Sequence, residues 1–339
     1  MQRSIRRILA IVACCSLVLT FSSAALAQYY SLAHLVSNEV GKAKHLDTLL
    51  ANPWGLAYGP SAPFWISDEA SGWSTLYDGL GNPQSLQVII PPSSGTGKGT
   101  PTGIVYNAST EFQIDTWTSL FLFATLDGTI SGWSHFFPSQ ALIGARRPGA
   151  VYTGLAISHK LSGNLLFAAD AANNKVDVYD ANFNFVHSFT DPATPVGFAP
   201  FGIQNIGGKI FVTYANTSGG TGGFIDIFRQ DGTFLKRFAH GSPLNQPWGL
   251  AVAPSNFGPL SGTLLVSNNV NGGTINGFNF TTGTLVGTIK NLAGTPIKIS
   301  GLWGIEFGGG TTANGKKNLL YFTAGPGDTN GYFGVITSH

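Results

Sequence analysis

Cysteine is confined to Cys14 and Cys15, and methionine to Met1. Everything after position 15 therefore lacks disulfides, thiolate nucleophiles and cysteine-held metals. Charge is also scarce, at 10% of residues against 43% hydrophobic. A disordered chain has the reverse balance, so this one folds. Past the N-terminal segment no apolar run is long enough to span a bilayer. The common hydrolase signatures are missing too: there is no His-Glu-x-x-His and no Gly-x-Ser-x-Gly. Gly95-Thr96-Gly97-Lys98-Gly99-Thr100 has the look of a phosphate loop. However, Gly99 stands where Ser or Thr must follow the Lys, and no helix follows, so it reads as a flexible loop. The seven histidines are scattered without metal-ligand spacing.

What is abundant is glycine, with 45 residues, beside 18 prolines and 12% aromatics. That mixture favours an all-β chain rich in turns. The first 27 residues read as a secretory signal peptide: Arg3, Arg6 and Arg7, an apolar stretch from Ile8 to Phe21, then Ala25-Leu26-Ala27 before Gln28. Lipoprotein processing at Cys14 is disfavoured because the chain after it stays apolar. The expectation is export to the periplasm or the medium, with residues 28–339 as one domain. Removing those three arginines from the 18 basic residues leaves 15 against 16 acidic ones. Such a surface has no basic field for nucleic acid or anionic lipid.

Internal repeats decide the architecture. A short apolar motif centred on Gly recurs at Gly55, Gly103, Gly154, Gly202, Gly249 and Gly304, at spacings of 48, 51, 48, 47 and 55 residues. Periods near 50 fit propeller blades or helical hairpins, and no repeat carries a helical apolar stripe. The repeats read as four strands each. In the third these are Gly154–Ile157, Asn164–Ala169, Lys175–Tyr179 and Phe185–Phe189. The sixth repeat is one strand short, and Tyr30 to Ser37 is spare ahead of the first. The expected fold is a six-bladed β-propeller of four-stranded blades, its ring closed by that N-terminal strand, which leaves no open edge inside.

The run Asn52-Pro53-Trp54-Gly55-Leu56-Ala57, echoed at Gln246-Pro247-Trp248-Gly249-Leu250-Ala251 and Leu302-Trp303-Gly304-Ile305, resembles NHL-type six-bladed propellers. More closely, the set is similar to a family of secreted bacterial propeller proteins without an established activity. That resemblance implies the fold and is nearly silent on function.

Two sets of residues invite a functional reading. Aromatics precede the repeat glycine at Trp54, Phe201, Trp248 and Trp303, and the second strands end at Asp68, Asp127, Asp170 and Asn268. Antiparallel pairing brings both sets to one face, where rings and polar atoms would suit a glycan or peptide. The alternative is that the rings pack and the Asp and Asn residues start turns. Two residues after each glycine stand Ala57, Val105, Ala156, Gln204, Ala251 and Glu306. A carboxylate in that column is costly to bury unless paired or metal-bound. Glu306 could ligate a divalent cation such as calcium, act as a general base, pair with a basic residue, or face channel water. Two functions follow. The first is a non-catalytic module binding an extracellular peptide, glycan or protein on the aromatic-rimmed face. The second is an axial-metal lactonase or esterase, or another hydrolase or lyase.

Overall fold

The computed structural model describes residues 28–159 and 163–339. The expected signal peptide lies outside the described residues. Six sheets, each built on four antiparallel strands A to D, are arranged radially. In blade 3 the strands are Tyr152–Ile157, Leu166–Asp170, Lys175–Tyr179 and Phe185–Phe189. In blade 4 they run Phe198–Ile206, Lys209–Asn216, Gly223–Phe228 and Phe234–His240. The A strands pack in sequence around an axis, and strand A of blade 6, Leu302–Phe307, meets that of blade 1, Pro53–Ala57.

The ring closes through the N-terminal segment. Tyr30–Ser37 pairs antiparallel with Tyr332–Ser338, from Tyr30 opposite Ser338 to Ser37 opposite Tyr332. It is the fourth strand of blade 6, and the two-residue strand His45–Leu46 adds to its outer edge in parallel. Tyr30 anchors it to blade 5: its hydroxyl donates to the Phe257 carbonyl (2.9 Å) and accepts from the Leu260 N–H (3.0 Å).

Apolar residues of neighbouring blades fill the gaps between sheets. Between blades 5 and 6, for example, Leu265 and Phe257 pack with Leu320 and Phe322. The repeat glycines are where the A strands converge. A Cβ on Gly55 would sit 2.6 Å from the Thr102 carbonyl oxygen, and one on Gly249 equally close to that of Trp303. No side chain fits there. Hydroxyls on the B strands then tie blade to blade. Ser267 Oγ accepts from the Gly249 N–H (2.7 Å) and donates to the Trp303 carbonyl (2.6 Å). Thr323 repeats this at the closing junction, between the Gly304 N–H (3.0 Å) and the Trp54 carbonyl (2.5 Å). Among the described residues no helix is long and apolar enough to cross a membrane.

Candidate functional site

The two ends of the axis differ. At the end where the A strands begin, Trp54, Trp248 and Trp303 turn inward and meet, with Phe201 and Leu126 packed against them. They are 7%, 9% and 4% exposed. Trp54 stacks on Trp303 with centroids 3.6 Å apart, and Trp248 stands edge-on to both. The Trp248 indole N–H donates across the axis to the Thr153 carbonyl (3.0 Å), and that of Trp303 to Asn52 Oδ1 (3.1 Å). Asn52 and Gln246, two residues ahead of Trp54 and Trp248, both take left-handed backbone conformations, with φ of 46° and 51°.

This corrects the aromatic rim expected from the sequence. Strand convergence crowds the rings onto the axis, where burying them against one another removes more apolar surface than a solvent-facing rim. They form a plug. The residues expected beside them are occupied elsewhere. Asp68 is fully buried and accepts from the N–H (3.0 Å) and hydroxyl (2.8 Å) of Thr75. Asp127 holds a turn through Ser93 N–H (2.6 Å) and Thr129 Oγ1 (2.8 Å). Asp170 accepts from Val151 N–H (3.1 Å) and Asn173 Nδ2 (2.8 Å). Asn268 Nδ2 donates to the Pro243 carbonyl (2.7 Å). All four side chains are taken up by bonds within the fold.

At the other end, where the A strands finish, the channel widens into a cup of about 330 Å³. Glu306 lines it with Gln204 and Asn205 from blade 4, Tyr58 and Tyr106 from blades 1 and 2, and His159. Below the cup a narrow passage, also lined by Glu306, leads to Trp248. Burial pushes the Glu306 carboxyl up to about 7, opposed by a hydrogen bond from the Phe307 backbone. Burial, and then the Glu306 charge, push Tyr58 up to about 12. Among the described residues Glu306 makes no ion pair. Of the readings open for it, facing the channel cavity is the one this geometry matches.

The cup's donor set does not suit a divalent cation. Among the described residues Glu306 is the one carboxylate in it, and no group of three or more His, Cys, Asp or Glu side chains converges. Calcium asks for six to eight oxygens, usually with several carboxylates. The residues present do not make that site.

The sequence reading missed Tyr58, Tyr106 and Asn205, which stand three positions after the repeat glycine, one beyond the column holding Glu306. Asn205 Nδ2 donates to the Ile157 carbonyl (2.9 Å), which fixes the amide, and its buried Oδ1 has no partner among the described residues.

Comparison with known proteins sets this geometry in a family. One uncharacterised protein of Acanthamoeba polyphaga mimivirus is 33% identical over 303 residues, covering 81% of this chain and 73% of the relative. A second from the same virus is 30% identical over 299 residues, covering 80% and 77%. The chain belongs to the family of these proteins. These relatives are viral, and they do not support the bacterial, secreted origin expected from the motifs. No family model matches the chain. Among solved structures, a streptogramin B lyase superposes with a TM-score of 0.55 at 12% identity, over 92% of this chain and 98% of that one. The hydrazine synthase of Kuenenia stuttgartiensis superposes at 0.50 and 12% identity, over 80% and 74%. At these identities the likeness is one of fold.

Proposed function

We propose that this protein is a binding module whose ligand enters the propeller axis at the Glu306 mouth. The carrying observation is the asymmetry of the channel. One end is stoppered by three tryptophans, and the other is a cup lined by a carboxylate, two amides and two phenols. A concave site of a few hundred Å³ with a few convergent polar groups is the usual form of a small-ligand site. The cup takes a small molecule or a single side chain of a peptide or glycan partner. Its location replaces the tryptophan face as the binding surface. If residues 1–27 direct export, that ligand is met outside the cytoplasm.

A catalytic reading has one observation in its favour. A carboxyl that titrates near neutrality is suited to proton transfer. Against it, among the described residues the cup holds no second carboxyl to complete an acid–base pair.

The test is a thermal-shift screen of small amines, acids, sugars and short peptides against wild type, Glu306→Gln and Gln204→Leu. Ligands that stabilise wild type and lose their effect in both variants support the cup. Ligands that stabilise all three proteins equally place binding elsewhere. Turnover of ester or lactone substrates by wild type, absent in Glu306→Gln, would instead favour the hydrolase reading.

A further inference from the structure

Given the cup as the binding site, its charge balance bears on the chemical class of the ligand, an inference that rests on that reading. Elsewhere this chain sets cations beside buried carboxylates. Asp177 has Lys175 at 3.3 Å and Arg147 at 3.5 Å. Asp226 and Asp191 share Arg237, at 3.0 and 2.6 Å. Glu306 and Asp68 have no such partner among the described residues. Asp68 is sealed in the blade, but Glu306 looks into a cavity. A desolvated carboxylate without a counter-charge is costly, and a bound cation offsets that cost.

The rest of the cup suits a positive group. Asn205 Oδ1, a buried atom, has no donor among the described residues, on an amide that its bond to Ile157 holds in place. Tyr58 and Tyr106 line the cup as well, and aromatic rings attract cations. Among the described residues no Lys or Arg lines the cup.

The cup does not stand alone. Tyr106 also walls a groove of about 620 Å³ between blades 1 and 2, on the same side of the ring. Beneath the groove lies an aromatic cluster, Trp65, Phe121 and Trp133, only 2–3% exposed. Trp65 stacks on Phe121 at 4.2 Å, with the planes 17° apart, and Trp133 lies 4.6 Å from Trp65. Pro60, Pro63 and Pro138 line it as well. The groove is apolar, and Tyr106 is the residue it shares with the cup.

We propose that the ligand is an organic ammonium ion: its charged nitrogen sits against Glu306, and its apolar body lies in the groove. One molecule spans both, crossing Tyr106.

The experiment is isothermal titration calorimetry with three matched probes: 2-(2-naphthyl)ethylamine, 2-naphthylacetate and 2-ethylnaphthalene. The amine is expected to bind at least about tenfold more tightly than the acid or the neutral probe, the scale of one charge-assisted hydrogen bond. Glu306→Gln is expected to abolish that preference. Leu120→Asp, at the half-buried edge of the groove, should weaken the amine probe but leave methylammonium unaffected. Wild type alone gives an independent check, because amine affinity should fall as pH drops below about 7 and Glu306 takes up a proton. Among the described residues the other titratable groups lining the cup are Tyr58, Tyr106 and His159. Protonation of His159 would weaken cation binding in the same direction, so His159→Gln must keep the pH dependence.

Equal or tighter binding of the acid or neutral probe, insensitive to Glu306→Gln, would overturn the ammonium assignment. Amine binding that depends on Glu306 but ignores Leu120→Asp would overturn the groove as the seat of the apolar body. If the thermal-shift screen finds ligands that need the cup and none is an amine, the ammonium assignment fails while the cup stands. If no ligand in either experiment needs the cup, the binding reading fails with it.

Discussion

Glu306→Gln separates the possible states of this carboxyl by the sign of its effect on stability. In the folded chain burial lifts the carboxyl from its ordinary 4.5 to about 7. Folding therefore favours the protonated form. Relative to Gln at this position, wild-type stability is intact in acid and declines as pH rises from the unfolded value through about 7, then levels off. Every tenfold gain in proton affinity on folding corresponds to roughly 1.4 kcal/mol, which sets an upper bound of about 3 kcal/mol. The side chain borders an open cup, and water there screens part of the charge, so about 1–2 kcal/mol is expected. Urea unfolding of both proteins from pH 4.5 to 8.5 reads this directly. The curves should converge at the acid end, with the variant more stable by that amount at pH 8. A variant less stable than wild type at pH 8 would refute the reasoning. It would mean that the carboxylate is held by a cation or by donors that this structure does not contain.

Three further outcomes follow from the packing. Thr323→Val removes the hydroxyl that joins Gly304 to Trp54 at the closing junction and strands a buried N–H and C=O; urea unfolding should register a loss of about 2–4 kcal/mol. A loss under about 0.5 kcal/mol would say that the junction is not tied through this residue. Trp54→Ala empties part of the aromatic plug and should cost about 3–5 kcal/mol, whereas a rim-mounted ring would cost little. Asp68→Asn keeps an acceptor for Thr75 and removes a charge whose carboxyl burial pushes well above its ordinary range. Since that shift is upward, the variant should match wild type in acid and exceed it in thermal stability at pH 9; lower stability at pH 9 would refute it.

The propeller was legible because each blade is local in the chain. Lys175–Tyr179 alternates cleanly, and the strand has those bounds. The closing strand was legible by subtraction: the sixth repeat lacked a strand, and Tyr30–Ser37 was spare, as the pairing with Tyr332–Ser338 bears out. The site was less legible, for two physical reasons. Whether Trp54, Trp248 and Trp303 point outward or onto the axis depends on how six strands converge, which no single repeat records. The groove is assembled from Trp65 of one blade and Phe121 and Trp133 of the next, so its floor exists only once two blades pack. Glu306 was legible because its column is otherwise nearly all small and apolar. Tyr58, Tyr106 and Asn205 were not, because their column mixes phenols, amides and aliphatics with no break to notice.

The most direct test of the central claim, that ligands enter at the Glu306 mouth and not at the tryptophan face, is a crystal structure soaked with 2-(2-naphthyl)ethylamine. The account predicts density in the cup, with its nitrogen at Glu306 and its rings past Tyr106 toward Trp65. Density on the opposite face, against Trp54, Trp248 or Trp303, would contradict it.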